Sequence, residues 1–305
     1  MGMDAGAVGD GYADQLTDAD LALLASAAQR PALGSSAAAL RQHPDELPAL
    51  LAEPRVFRAV FGTADVMAGP AALASLASPF LIFSVAVHAA AAELQAVDYV
   101  PERFGARQRV PLFDAPELRD FLGSQARRLF LAELLASFTR NRSGQYPAAP
   151  AGAPGSRQER AARRARRFSE LDLPRMAGQL EDVAEADRPG VYRRLGDVAL
   201  FLTGVFPDYA VGRALGPVSA ARLLRSAQVP ARRRDDLASA PGIDLLEYLG
   251  AQWYRSAWTL ARTRTARLAV VAEVADRFRQ ARRVLNHIAD RRLFPAGDPW
   301  LAPPA

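Results

Sequence analysis

The chain of 305 residues contains no lysine and no cysteine, so all 38 of its basic residues are arginine, and His43, His88 and His287 are its only imidazoles. Without lysine there is no Schiff-base chemistry and no phosphate-loop ATPase, whose lysine is the charge that reaches the terminal phosphates. Without cysteine there is no thiol nucleophile, disulfide, zinc ribbon or iron–sulfur cluster. No Gly-x-Ser-x-Gly elbow and no Gly-x-Gly-x-x-Gly loop occurs, so a serine hydrolase of the usual kind and the simplest dinucleotide site are excluded too. Acid–base work by carboxylates, a carboxylate-rich metal site, recognition by arginine, or no chemistry at all remain.

Half of the residues are hydrophobic, enough for a sizeable core. The abundance of alanine and arginine matches a coding bias toward GC-rich codons. A net charge of +5 is modest for this length, and a pI near 10 is compatible with an anionic partner without requiring one. The first twenty residues carry Asp4, Asp10, Asp14, Asp18 and Asp20 rather than a basic start and an apolar run, so no secretion signal is expected and the cytoplasm is the expected compartment. From Val66 to Ala92 no formally charged residue occurs, and the stretch is long enough to span a bilayer. Gly69, Pro70, Ser75, Ser78 and Pro79 break it into pieces, which favours a buried helix pair over a membrane span.

The pattern along the chain is helical, with strand signals nearly absent and no repeat of fixed period. The fold expected is all-α, an irregular multi-helix bundle of two helical halves, 1–142 and 157–305, joined by a Pro/Gly/Ala-rich linker at 143–156; the halves are free to pack as one domain. Thr17 and Asp20 form a cap pair that predicts a first helix over Asp18–Arg30. His43, Pro44 and Glu46 open a short helix, Pro70 and Pro79 each suit a first helical turn, and the run after Pro79 predicts the buried centre of this half. Tyr99–Phe113 reads as a loop with a short extended piece. In it Arg103, Arg107 and Arg109 are interleaved with aromatic residues, and Arg103–Arg109 with Phe104 can face a partner. Ser124 starts an amphipathic helix through Leu129, Leu134 and Phe138. Asp172 and Asp187 each precede a proline-led helix, the second ending at Gly204 and Pro207. Helices are expected over Val211–Gln228 and Ile243–Leu260, and Arg264–Leu293 reads as one long terminal helix.

Four constellations are candidates for function. Arg160, Arg163, Arg164 and Arg167 recur at helical spacing and can neutralise phosphates as an anion or nucleic-acid stripe, although a solvated helix paired with Glu181, Asp182 and Glu185 is the simpler reading. His88, Glu133, Asp197, Glu247 and His287 sit in apolar sequence and are the candidates if a metal is held in the bundle. The glutamate-to-histidine spacing of di-iron bundles is absent, and arginines such as Arg128, Arg194 and Arg255 lie close in sequence, so a structural salt-bridge network is preferred and no metal or other cofactor is expected. Glu247, Tyr248, Trp253, Tyr254, Arg255 and Trp258 form the densest set of large amphipathic residues. Glu247, Tyr254, Arg255 and Trp258 are the interface or pocket candidates, weighed against plain core aromatics. The tail from Asp298, DPWLAPPA, is a docking segment or packs back on its own domain.

No family resemblance is carried by these residues. The function expected is a non-catalytic scaffold, adaptor or regulatory protein whose partner is another protein. The alternatives are a nucleic-acid-associated protein using the arginine helix and a metal-dependent or acid–base enzyme on the buried carboxylates and histidines, its catalytic residues unspecified. A homo-oligomer is compatible with the sequence, and a membrane partner is disfavoured.

Overall fold

The computed structural model describes residues 3–28, 37–62, 77–103, 109–140, 171–208 and 217–293. Among them are fifteen α-helices and one two-stranded sheet, so the fold is all-α. The chain divides into two compact units. One comprises Met1–Val100 with Pro111–Asn141, and the other Pro101–Val110 with Arg142–Ala305. The hairpin segment Pro101–Val110 therefore groups with the second unit although it lies in the first half of the sequence. The linker 143–156 and the tail lie outside the described residues, as do positions 211–216 of the helix expected over Val211–Gln228.

The first unit opens with a helix that the sequence reading missed, α1 (Ala5–Ala13), because three glycines in nine residues hide its period. Asp4 caps it by accepting the Ala7 N–H at 2.8 Å. Gly9 is required by contact, since a Cβ there would collide with the Pro44 carbonyl. Helix α2 (Asp18–Ala28) starts at the expected cap pair: Asp20 accepts from the Thr17 N–H at 2.9 Å, and Thr17 Oγ1 accepts from the Asp20 N–H at 3.1 Å. Short helices α3 (Ala37–Gln42), α4 (Leu47–Leu51) and α5 (Pro54–Phe61) follow, with a 3₁₀ turn at Pro44–Glu46.

Helix α6 (Pro79–Glu93) is the buried centre, with Ser78 as its cap and Pro79 in its first turn. Phe80, Leu81, Ile82, Phe83, Val85 and Val87 are all buried, so it has no polar face to offer. The 79–96 stretch is long and apolar enough to cross a membrane by length and composition, yet two thirds of it is buried inside the protein. Positions 66–76 of the uncharged run, with Pro70 among them, lie outside the described residues. Helix α6 packs on α8 (Gln125–Arg140), which follows α7 (Ala115–Gly123).

Two strands, β1 (Val100–Arg103) and β2 (Arg109–Leu112), stand where a loop with a short extended piece was expected. The five residues between them are too few for a parallel crossover, so the pair is an antiparallel hairpin. Within the second unit the Arg103 N–H of β1 donates to Asn286 Oδ1 at 3.0 Å.

The second unit contains α9 (Leu173–Gln179), α10 (Arg188–Val205), α11 (Pro217–Ser226), α12 (Ala231–Ala238), α13 (Gly242–Leu260), α14 (Ala266–Asp276) and α15 (Phe278–Ile288). Its core is α10 against α13 and α15. Close approach is possible because Gly196 of α10 faces the Tyr254 ring of α13, and Gly204 of α10 faces Leu285 of α15. The helix ends at Val205, between Gly204 and Pro207 as expected, and Gly204 serves packing as well. The single terminal helix expected over Arg264–Leu293 is two helices broken at Arg277, whose φ of −121° and ψ of 32° leave the helical region. The break re-aims the chain so that Phe278 lies against Gly250 and 5.8 Å from the Tyr254 ring. The segment ends in a π-helical turn, Ala289–Leu293.

Candidate functional site

The polar residues of the second unit converge on α15. Arg282, 4% exposed, is the centre. Its Nε donates to Glu247 Oε2 at 3.0 Å, and its Nη2 contacts Glu102 Oε1. Arg279, one turn earlier, donates to Glu247 Oε1 at 2.6 Å, which holds the Arg279 guanidinium above its ordinary pKa. Arg283 Nε lies 3.3 Å from Glu102 Oε2. Two carboxylates from β1 and α13 are thus clamped by three guanidiniums of one helix. Taking such charges out of water costs several kcal/mol per ion by order of magnitude, so this pairing is what makes burial of Glu102 and Glu247 tolerable.

The hairpin extends the same network. Arg103 lies 3.5 Å from Asp208 and also donates to the Val205 carbonyl at 3.3 Å, at the C-terminal end of α10 where a cation is favourable. Arg109 forms a two-pronged contact with Asp290, at 3.0 and 2.7 Å. Asn286, 2% exposed, completes the edge of β1 through its bond to Arg103. Neither Asn286 nor Glu102 was singled out in the sequence; their signal, a polar residue on the apolar face of α15 and one between Val100 and Arg103, is visible only once the partner is known.

A second arrangement lies beside it. The Tyr254 hydroxyl donates to Asp197 Oδ1 at 2.8 Å. Burial raises the Asp197 carboxyl pKa, with Arg193 and Arg194 opposing, and pushes the Tyr254 phenol well above its ordinary value. The hydrogen bond fixes the two side chains against each other across α10 and α13.

In the first unit, His88 Nε2 and the Tyr12 hydroxyl are 3.0 Å apart and both side chains are buried. Burial, with a smaller contribution from Arg128, lowers His88 to about 3, and burial likewise raises Tyr12. Glu133 lies near enough to Tyr12 to act on it electrostatically. His287 of the second unit is lowered to about 4 by burial and by Arg291, with Asp290 opposing.

The five metal candidates do not gather. His88 and Glu133 belong to the first unit, Asp197, Glu247 and His287 to the second. Among the described residues no three histidine or carboxylate side chains form a group that could hold a metal ion. The arginines expected to neutralise the buried carboxylates are mostly others: Glu247 takes Arg279 and Arg282 from a distant helix, and Arg255 pairs with exposed Asp276 at 3.1 Å. Arg128 donates to the Leu122 carbonyl across the α7–α8 turn.

The four pocket candidates on α13 point to four different partners. Glu247 faces the α15 arginines, Tyr254 faces Asp197, Arg255 faces Asp276, and the Arg264 guanidinium covers Trp258 at 5.0 Å from the ring. Trp253, fully buried, donates its indole N–H to Ser226 at 3.2 Å, and Arg233 lies 5.7 Å over the Tyr248 ring. Arg160, Arg163, Arg164 and Arg167, and Phe104 and Arg107, lie outside the described residues.

A few large apolar side chains stand exposed. Tyr99 and Phe113, flanking the hairpin, are 52% and 77% exposed with ring centroids 5.8 Å apart. Comparison with protein-family models, with curated proteins and with solved structures finds no match to this chain.

Proposed function

We propose that this chain is a non-catalytic helical protein that acts through contacts with another protein, as a scaffold, adaptor or regulatory subunit. The observation that carries the reading is the exposed pair Tyr99 and Phe113, which holds two large rings together in solvent. Aromatic side chains left in water lose the burial that would stabilise them, and Tyr is among the residue types that dominate protein interfaces.

The interior supports the same reading. Glu102 and Glu247 are held by guanidiniums, Asp197 by Tyr254, and His88 by Tyr12, so these groups stabilise the fold rather than stand ready for a substrate. Pro111 in the middle of β2 has no N–H to give, and Pro101 shares with Arg103 the edge of β1 that faces Asn286. Prolines at such positions blunt strand addition, which favours docking through the side chains of Tyr99 and Phe113 over docking through the hairpin backbone.

The test is a photo-cross-linking residue placed at Phe113, with exposed Gln179 as the control position. The expected result is a discrete protein adduct at 113 that is absent at 179 and lost when Tyr99→Ser is added. Equal labelling at both positions, or none at 113, would overturn the reading.

A further inference from the structure

Several of the described arginines, such as Arg41, Arg109, Arg234 and Arg255, meet a carboxylate or a carbonyl; those on one face of the second unit do not. Between Asp208 and Asp235 the chain carries no acidic residue at all, and this interval contains α11 and the start of α12. Helix α11 buries Ala220, Leu223 and Leu224 and turns Val218, Arg222 and Arg225 outward. Their spacing of four and then three residues puts all three on one stripe. Arg232, in the first turn of the adjoining α12, is exposed too, and Arg233 beside it lies over the Tyr248 ring. Among the described residues no ion pair engages Arg222, Arg225 or Arg232, so these three guanidiniums present their charge to solvent together, unlike exposed Arg41, Arg109 and Arg255, which have carboxylate partners.

We infer that the face formed by α11 and the first turn of α12 binds an acidic peptide segment of a protein partner. This rests on the reading of the chain as a protein-contact module and names the chemistry of one contact. Three observations select a peptide over a nucleic-acid backbone. The face is bounded at once by Asp235 and Asp236, which repel a polyanion continuing past α12. Its length, about 15 Å for the ten residues of α11, matches roughly five residues of extended chain. And Val218, 74% exposed at one end of the stripe, offers an apolar contact that a peptide side chain can fill and a phosphodiester backbone cannot.

The experiment uses the full chain and a fluorescein-labelled peptide of glutamates around a central leucine, with a labelled oligonucleotide of equal charge as competitor probe. Anisotropy is read at about 50 mM and about 300 mM salt, across which screening of exposed charge changes strongly. The expected result is peptide binding that weakens with salt and exceeds oligonucleotide binding. It falls at least about fivefold in Arg222→Gln/Arg225→Gln/Arg232→Gln, and stays within about twofold of wild type in the equal-charge control Arg55→Gln/Arg58→Gln/Arg119→Gln on the first unit. Because the three arginines are exposed and outside the ion-pair network, the triple variant should keep the wild-type circular dichroism and melting curve. Tighter oligonucleotide binding, equal loss in both triple variants, or no peptide binding would overturn the inference. Cross-linking at Phe113 reads the Tyr99 and Phe113 pair by itself, so adducts there without peptide binding leave the general reading standing and remove only this contact.

Discussion

Arg282 Nε lies 3.0 Å from Glu247 Oε2 while the same guanidinium meets Glu102 with its Nη2, so one arginine closes two buried carboxylates that come from β1 and α13. Removing it leaves Glu247 with Arg279 and Glu102 with Arg283, and takes away the one group that joins them. Arg282→Met is expected to cost about 3–5 kcal/mol, the range for breaking a buried pair from one side, whereas exposed Arg255→Met should cost under about 1 kcal/mol. Urea denaturation of the two variants distinguishes these outcomes; equal small losses would mean that Arg279 and Arg283 suffice to hold the carboxylates.

The approach of α10 to α13 depends on the missing side chain at Gly196, where a methyl group would overlap the Tyr254 ring. Gly196→Ala should destabilise by about 1–3 kcal/mol through overpacking, and it should also loosen the Tyr254–Asp197 bond. Gly190→Ala in the same helix meets open space and should be neutral or stabilise by about 0.5–1 kcal/mol. Thermal melts of the two alanine variants should therefore move in opposite directions.

Asp20 is fully buried and serves two helices. Its Oδ2 accepts from the Thr17 N–H and from the Thr17 hydroxyl at 2.8 Å, and its Oδ1 accepts from the Ser78 N–H at 2.7 Å at the head of α6. Asp20→Ala leaves these donors without an acceptor and is expected to cost about 2–4 kcal/mol. Asp20→Asn, which keeps one acceptor oxygen, should cost less. Hydrogen exchange would show the loss at the first turns of α2 and α6 together.

Histidine burial sets the acid sensitivity. His88 titrates near 3 and His287 near 4 in the folded protein, both below the ordinary histidine value of about 6.5. The unfolded chain then binds protons that the folded chain refuses, so stability falls as pH drops through about 6.5 and stops falling below the folded values. Between pH 7 and 5 each histidine should remove about 2 kcal/mol. Asp197, whose carboxyl is raised by burial, acts in the opposite sense toward the acid end. His88→Gln should lower stability at pH 7 and flatten the pH 7 to 5 dependence by about 2 kcal/mol; an unchanged slope in paired urea titrations would show that His88 does not carry it.

Local chemistry explains why much of the architecture was legible before any coordinates. The cap pair Thr17 and Asp20, Pro79 in a first turn and Asp172 before Pro174 act over three or four residues, so their outcome, helix starts at Asp18, Pro79 and Leu173, is written in the neighbouring sequence. The same locality hid α1, whose glycines serve a contact with Pro44, and led to one terminal helix where Arg277 breaks it so that Phe278 can reach Gly250. Sequence also singled out Glu247 and Asp197 as polar groups in apolar runs, and Tyr254 as a pocket candidate weighed against a core aromatic. It could not say which arginine or hydroxyl each would meet. A buried charge takes its partner from whatever element the packing brings alongside, and Glu247 on α13 meets Arg282 thirty-five positions away, while Glu102 reaches the same side chain from β1. Helix formation was decided by the chain itself; ion pairing, the exposure of Tyr99 and Phe113 and the bare arginine face of α11 were decided only by tertiary contact, since desolvation depends on neighbours that sequence distance does not measure.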